Sequence, residues 1–260
     1  MYHYTTTNCA IKILGNCQLK YSKYPTINDP FDTGKDIIYD PKDTNGEKFK
    51  NEFLNNKILK NTKPMLFEMI KNLKGNETLN VVKKNIEESY FSKMIKNTPF
   101  VCFSKNNNIQ LLWAHYGEKY AGVVLEFNIS RDKAEEVNYK DLSKGPLPSV
   151  LTAKKFIEVA FLKNNNKLFS YVNELLLTKH KVWRYEQEIR LLGNPNTNKE
   201  YLPFDPIELK GIYFGINHEP NEELIKAITS EKYSHVKIYK MIRDPGFMNI
   251  RPIEAEVTSL

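Results

Sequence analysis

Thr98–Asn128 reads TPFVCFSKNNNIQLLWAHYGEKYAGVVLEFN. Phe100–Ser104 is a short apolar run of strand composition that ends in a hydroxyl. Ile109, Leu112, Trp113 and Tyr116 are spaced to share one face of a helix over 107–116. Tyr120–Phe127 is a second strand, β-branched in its middle. Sites gather at strand ends and in the loops that follow them. Ser104, Trp113, His115 and Tyr116 are therefore candidate binding residues. A core unit with an aromatic stripe explains the same residues with no site, and both readings stay open at this point.

Toward the N-terminus, residues 1–4 read as a strand. A Thr5–Asn8 cluster follows and can cap a helix that buries Ala10, Ile13, Leu14 and Cys17. Leu19–Tyr24 reads as a second strand, and residues 28–32, NDPFD, as a turn. From 46 to 97 the pattern is helical throughout. Stripes built on Phe49/Phe53, Met65/Met69 and Tyr90/Met94 predict a helical insertion or cap.

Toward the C-terminus, a helical turn is expected over 131–136 and a short strand over 137–139. A loop over 144–148 and helices over 152–162 and 167–180 follow. Strands are expected over 201–204, 209–216, 236–242 and 250–253, with a helix over 219–229. The fold class expected is α+β: a single domain over 1–260, with a mixed or antiparallel sheet core and the helical insertion.

Residues 181–192, KVWRYEQEIRLL, alternate. On a strand Arg184, Glu186, Glu188 and Arg190 point one way, and Trp183, Tyr185, Ile189 and Leu191 the other. Two carboxylates on one face raise each other's pKa, and flanking guanidiniums oppose that. Such a carboxylate, kept ionised in a cleft, can stabilise a developing sugar cation. A solvated strand face of alternating charge needs no function and fits equally well. His3 and Thr5, two apart on the first strand, can reach one ligand together.

The chain has 260 residues and is 41% hydrophobic, enough for a sizeable core. No apolar run approaches the ~20 residues of a membrane span. The N-terminus lacks the basic and apolar regions of a signal peptide. Three cysteines without CxxC spacing fit a reduced cytoplasm, and the five histidines form no HxxxH or HExxH pattern, so no metal site is expected. The net charge is +7, but only five of the 38 basic residues are arginines. Scattered lysine raises charge without building a groove, so a general attraction to polyanions is the most the composition implies.

FVCFSKNN, LLWAHYGEKYAGVVLEF, VWRYEQEIRLL and IYFGIN, in that order, together with the opening YHYTTTNCAIKILGNCQLKYS and NDPF, resemble the bacterial DUF2971 family. More distantly, YHYTTTNCAIKIL is similar to the opening HxT strand and helix of ADP-ribosyltransferases of the H-Y-E kind, including DarT-type toxins. That resemblance implies NAD as the substrate. His3 and Thr5 match the NAD-binding opening. Tyr116, or Trp113 second, stands for the aromatic that stacks on nicotinamide. Glu188 or Glu186 stands for the late glutamate that holds the ribose and stabilises its cation. Ser104, His115, Arg184 and Arg190 complete the expected NAD-binding set, and Glu186, Glu188 and Tyr116 the catalytic one. The resemblance further implies a nucleic-acid or protein acceptor, a toxin or phage-defence role and an antitoxin or regulatory partner. Two other readings compete: a metal-dependent nuclease, and a non-enzymatic module that binds nucleic acid or protein.

Overall fold

The structure is a computed structural model. It describes residues 1–23, 27, 29, 32, 46–75, 77–78, 80–81, 84, 90–129, 134–143, 165–197 and 199–256. The expected loop over 144–148 and helix over 152–162 lie outside the described residues.

Among the described residues the core is one eight-stranded sheet. Its strands are β1 (Tyr2–Thr5), β3 (Phe100–Ser104), β4 (Val123–Phe127), β5 (Ala134–Glu136), β8 (Glu188–Leu192), β10 (Leu209–Phe214), β11 (Lys237–Arg243) and β12 (Ile250–Glu254). Their order is β12-β11-β10-β4-β1-β3-β8-β5. Only the β10–β11 pair is parallel; the other described ladders of this sheet are antiparallel. Two ribbons flank it: β2 (Gln18–Lys20) with β9 (Tyr201–Pro203), and β6 (Asn138–Lys140) with β7 (Thr178–His180). Pro252 lies in the edge strand β12, where a missing amide donor is tolerated.

The sheet has a seam. β1 pairs with β4 over four residues, but with β3 through Tyr2 and Ser104 alone. A ladder that stops after one pair leaves backbone groups to satisfy otherwise. The His3 ring does this, donating from Nδ1 to the Cys102 carbonyl at 3.0 Å.

One face of the sheet carries Val101, Phe103, Leu125 and Ile212, covered by α1 (Thr7–Asn16) and by the helix Glu222–Ile228. Thr6 caps α1 by accepting from the Cys9 amide, and Cys17 ends it in the left-handed region. The other face carries Val124, Tyr213 and Met241, which cluster with Trp113 of the helix Gln110–His115.

The 46–97 stretch forms the helices α2 (Gly46–Leu54), α3 (Lys57–Thr62), α4 (Pro64–Asn72) and, across a stretch that is only partly described, α5 (Tyr90–Asn97). Asn56 caps α3, and Pro64 opens α4. Phe49, Phe53, Phe67, Ile70 and Met94 form a second apolar cluster, and Tyr171, Val172, Leu175 and Leu176 of the helix Asn165–Leu176 join it. These helices thus share their core with a helix far along the chain. No described helix is long and apolar enough to cross a membrane.

Four local expectations are corrected. Residues 134–136 form a strand rather than a helical turn, because they pair with β8. Thr178–His180 is a strand, so the preceding helix stops at Leu176. The strand expected from Tyr120 begins at Val123, since Glu118, Lys119 and Tyr120 all have positive φ. Lys181–Glu186 is a 3-10 helix, so the alternation of 181–192 holds only from Glu188 onward.

Candidate active site

A cavity of about 330 Å³ opens at the seam. β1 contributes Tyr2, His3 and Tyr4, and β3 contributes all its residues from Phe100 to Ser104. Leu112 and Tyr116 line it from the short helix α6 (Gln110–His115) and its C-cap. Asp32, Lys179, Glu186, Glu188 and Arg190 form its charged wall.

The wall is assembled by a backbone kink. Gln187, a non-glycine residue, sits in the left-handed region at φ 46°, between the 3-10 helix and β8. Its side-chain oxygen accepts from Asn106 at 2.8 Å and its carbonyl from the Lys105 amide at 3.1 Å. The kink brings Glu186 and Glu188 onto one ammonium although they do not share a strand. Lys179 Nζ donates to Glu186 Oε2 at 2.5 Å and to Glu188 Oε2 at 3.1 Å, and lies 3.7 Å from Asp32 Oδ2. Arg190 donates from Nε to Glu188 Oε1 at 2.7 Å, from Nη2 to Asp32 Oδ2 at 2.6 Å and from Nη1 to the Leu176 carbonyl at 2.6 Å. All five side chains are at least nine-tenths buried.

The two glutamates differ sharply. Burial alone would raise the Glu188 carboxyl, but Arg190 and Lys179 outweigh it and hold it at about 2. Both Glu188 oxygens are engaged by these cations. For Glu186 burial prevails over Lys179, and Glu188 and Asp32 add like charge, so its pKa is raised. Glu186 Oε1 meets only the Tyr116 hydroxyl, at 3.5 Å, among the described residues. Asp32 is raised by burial against the pull of Arg190 and Lys179. Its Oδ1 has no hydrogen-bond partner among the described residues. Three carboxyls thus face two cations, and two carboxyl oxygens on the cavity wall have acceptor capacity left.

His3 reaches the cavity from the other side of the sheet. Tyr2, Ser104 and Glu188 are in register on one face. His3 falls on the opposite face, edge-on to Phe103. Burial lowers its pKa, and its Nδ1–H is committed to Cys102, so the neutral ring keeps an acceptor at Nε2.

Of the residues expected from the sequence, His3, Ser104, Tyr116, Glu186, Glu188 and Arg190 line this cavity. Thr5, Trp113, His115 and Arg184 do not. Thr5 lies where β1 is still paired with Val123 of β4, away from the seam. Trp113 is fully buried in the core and donates to the Asn107 carbonyl at 2.7 Å. His115 and Arg184 are exposed. Ser104 donates to the Glu186 carbonyl at 2.7 Å, so its role is to hold the kink.

Sequence reasoning missed Lys179, in β7, and Asp32, in a turn; their contacts with the Glu188–Arg190 pair are made only in the tertiary fold. It also missed Tyr139, whose hydroxyl accepts from the Glu188 amide at 2.8 Å. Among the described residues no group of three or more His, Cys, Asp or Glu side chains is arranged to hold a metal ion.

Fold and site define an α+β protein with a buried, charge-lined cavity at a seam in its central sheet. Residues 112–191 match the model of the family described as a protein of unknown function (DUF2971), the family that the sequence resembles. No curated protein and no solved structure matches the chain.

Proposed function

We propose that the protein is an ADP-ribosyltransferase-like enzyme that consumes NAD. It breaks the bond between nicotinamide and ribose and passes ADP-ribose to an acceptor, a nucleic acid or a protein. The observation that carries this reading is the seam cavity itself. It joins His3, Tyr116 and the Glu186/Glu188 pair, distant in sequence, around a wall with more carboxyls than cations.

That charge balance suits the chemistry. The nicotinamide ring of NAD is cationic, and the ribose carbon becomes cationic as the ring leaves. The bonding electron pair goes with nicotinamide, which departs neutral. An acceptor oxygen or nitrogen then attacks the ribose carbon and loses its proton. Fixed carboxylates beside a developing cation need no reorganisation. Glu186 is the carboxylate for this work, because it lines the cavity with Oε1 bonded only to Tyr116 among the described residues, and its raised pKa makes it a competent proton acceptor. Glu188, saturated by Arg190 and Lys179, holds the wall in place, so of the two candidates for the late glutamate this reading takes Glu186. His3 Nε2 and Asp32 Oδ1 are acceptors suited to ribose hydroxyls. The Tyr116 ring borders the nicotinamide.

A toxin or phage-defence role, an antitoxin or regulatory partner and a cytoplasmic location rest on the resemblance and on cysteine usage. They belong to this proposal in the same way. The test is incubation of the purified protein with NAD, with and without a chelator. Nicotinamide release that is indifferent to the chelator is expected. Absence of release in the presence of candidate nucleic-acid and protein acceptors overturns the reading. Chelator-sensitive cleavage of nucleic acid instead establishes the nuclease alternative.

A further inference from the structure

A second cavity, of about 400 Å³, lies at the other end of α6. Gln110 opens that helix and lines this cavity, whereas Leu112 and Tyr116 line the seam cavity. Its other walls are Tyr120, Ile216 and Asn217, and the β11–β12 turn with Arg243, Phe247, Met248 and Asn249.

Two independent features mark it. The first is the backbone that presents Tyr120. Glu118, Lys119 and Tyr120 have φ of 51°, 53° and 69°, three consecutive non-glycine residues in the left-handed region. L-residues enter that region rarely and singly, so the turn persists only because its surroundings over-determine it. Asn217 clamps it twice, donating from its backbone to the Tyr120 carbonyl at 3.0 Å and from its side chain to the Lys119 carbonyl at 3.2 Å. Glu118 accepts from the Thr7 amide at 3.0 Å. Gly215 admits the turn, since a Cβ there would fall 2.0 Å from the Tyr120 oxygen.

The second feature is the opposite wall. Phe247 is 74% and Met248 98% exposed, on a tight turn that Gly246 closes at φ 78°. Gln110 tethers the turn by donating to the Met248 carbonyl at 2.7 Å. Arg243 is exposed and forms no ion pair among the described residues, whereas Arg251 nearby is paired with Asp244 at 3.4 Å. The cavity therefore offers flat apolar surface, amide donors and acceptors, and one uncompensated guanidinium.

We propose that this cavity is a nucleotide site. It takes a base between Tyr120 and Phe247 and a phosphate on Arg243. The nucleotide is either free or one unit of a single strand. Aromatic faces accept any base, amides read base edges, and a guanidinium with free donors grips phosphate. This site is separate from the seam cavity and stands without the NAD reading.

The probes are AMP, adenosine and inorganic phosphate in calorimetric titrations, and a labelled oligo-deoxyadenosine strand in anisotropy titrations. AMP is expected to bind the parent, with adenosine and phosphate each weaker by about tenfold or more. Tyr120→Ala and Arg243→Gln should each weaken AMP by about tenfold, and Tyr120→Phe should restore binding. Glu186→Gln should bind AMP like the parent, so failure here and failure of nicotinamide release are separable. Tighter binding of the strand than of AMP, sensitive to the same variants, assigns the unit to a strand; the reverse order assigns it to free nucleotide. No saturable binding of either probe by the folded parent overturns the proposal. So does binding indifferent to both Tyr120→Ala and Arg243→Gln.

Discussion

The two ends of α6 face cavities of similar size built on opposite principles. At the seam, five charged side chains are almost fully removed from water and satisfy one another. At the second cavity, Phe247 and Met248 of the β11–β12 turn are exposed, and the strain lies in the Glu118–Tyr120 backbone opposite. The first cavity is therefore part of what keeps the sheet together, and its residues carry stability and chemistry at once. In the second, Arg243, Phe247 and Met248 are exposed and belong to none of the apolar clusters. Substitutions at the two places should separate accordingly.

The largest difference should come from the arginines. Arg190 links Glu188, Asp32 and the Leu176 carbonyl, and its plane lies 4.8 Å from the Phe100 ring centre. Arg190→Met leaves buried carboxylates short of partners and should cost about 3–5 kcal/mol. Arg243→Gln, at the exposed cavity, should stay within about 0.5 kcal/mol of the parent. Urea unfolding of both variants checks this. Equal, small losses would mean that the wall is not structural.

A smaller effect concerns acid. Glu188 falls from its ordinary 4.5 to about 2 in the folded chain. A depressed carboxyl contributes stability that is fully present above its unfolded pKa, and loses it as pH falls toward the folded value. The parent should therefore lose this contribution between about pH 4.5 and 2. Glu186 and Asp32, both raised, work the other way: their burial favours folding less as pH rises through their folded pKa values. In Glu188→Gln the acid-side loss should shrink relative to the parent, alongside lower stability at neutral pH. Parallel stability curves for the two proteins from pH 2 to 5 would contradict the ion-pair account.

Much of the fold was legible because its signals are local. The stripes of 46–97 and the apolar runs of β3 and β10 each declare their element within a few residues. The site was legible in part. His3, Tyr116 and the Glu186/Glu188 pair stood out, but the reason given for the pair was wrong in detail. Residues 181–186 fit a two-residue alternation and a three-residue turn equally well, and nothing in the side chain of Gln187 announces a left-handed backbone. Trp113 looked like a binding aromatic because large rings at helical spacing serve cores and ligands alike. Gly117 and Gly215, which make room for its ring, reveal the core role only once their neighbours are known. Lys179 and Asp32 are solitary residues whose meaning depends on the tertiary fold.

The central claim is that Glu186, and not the better-satisfied Glu188, faces the sugar cation. The most direct measurement is nicotinamide release from NAD by the parent and by Glu186→Gln, with thermal unfolding recorded on the same samples. Glutamine keeps the size of the side chain and removes its charge. The account predicts a fall of about 10²–10³-fold in release with the folded state retained. Parental release by a folded Glu186→Gln would contradict it.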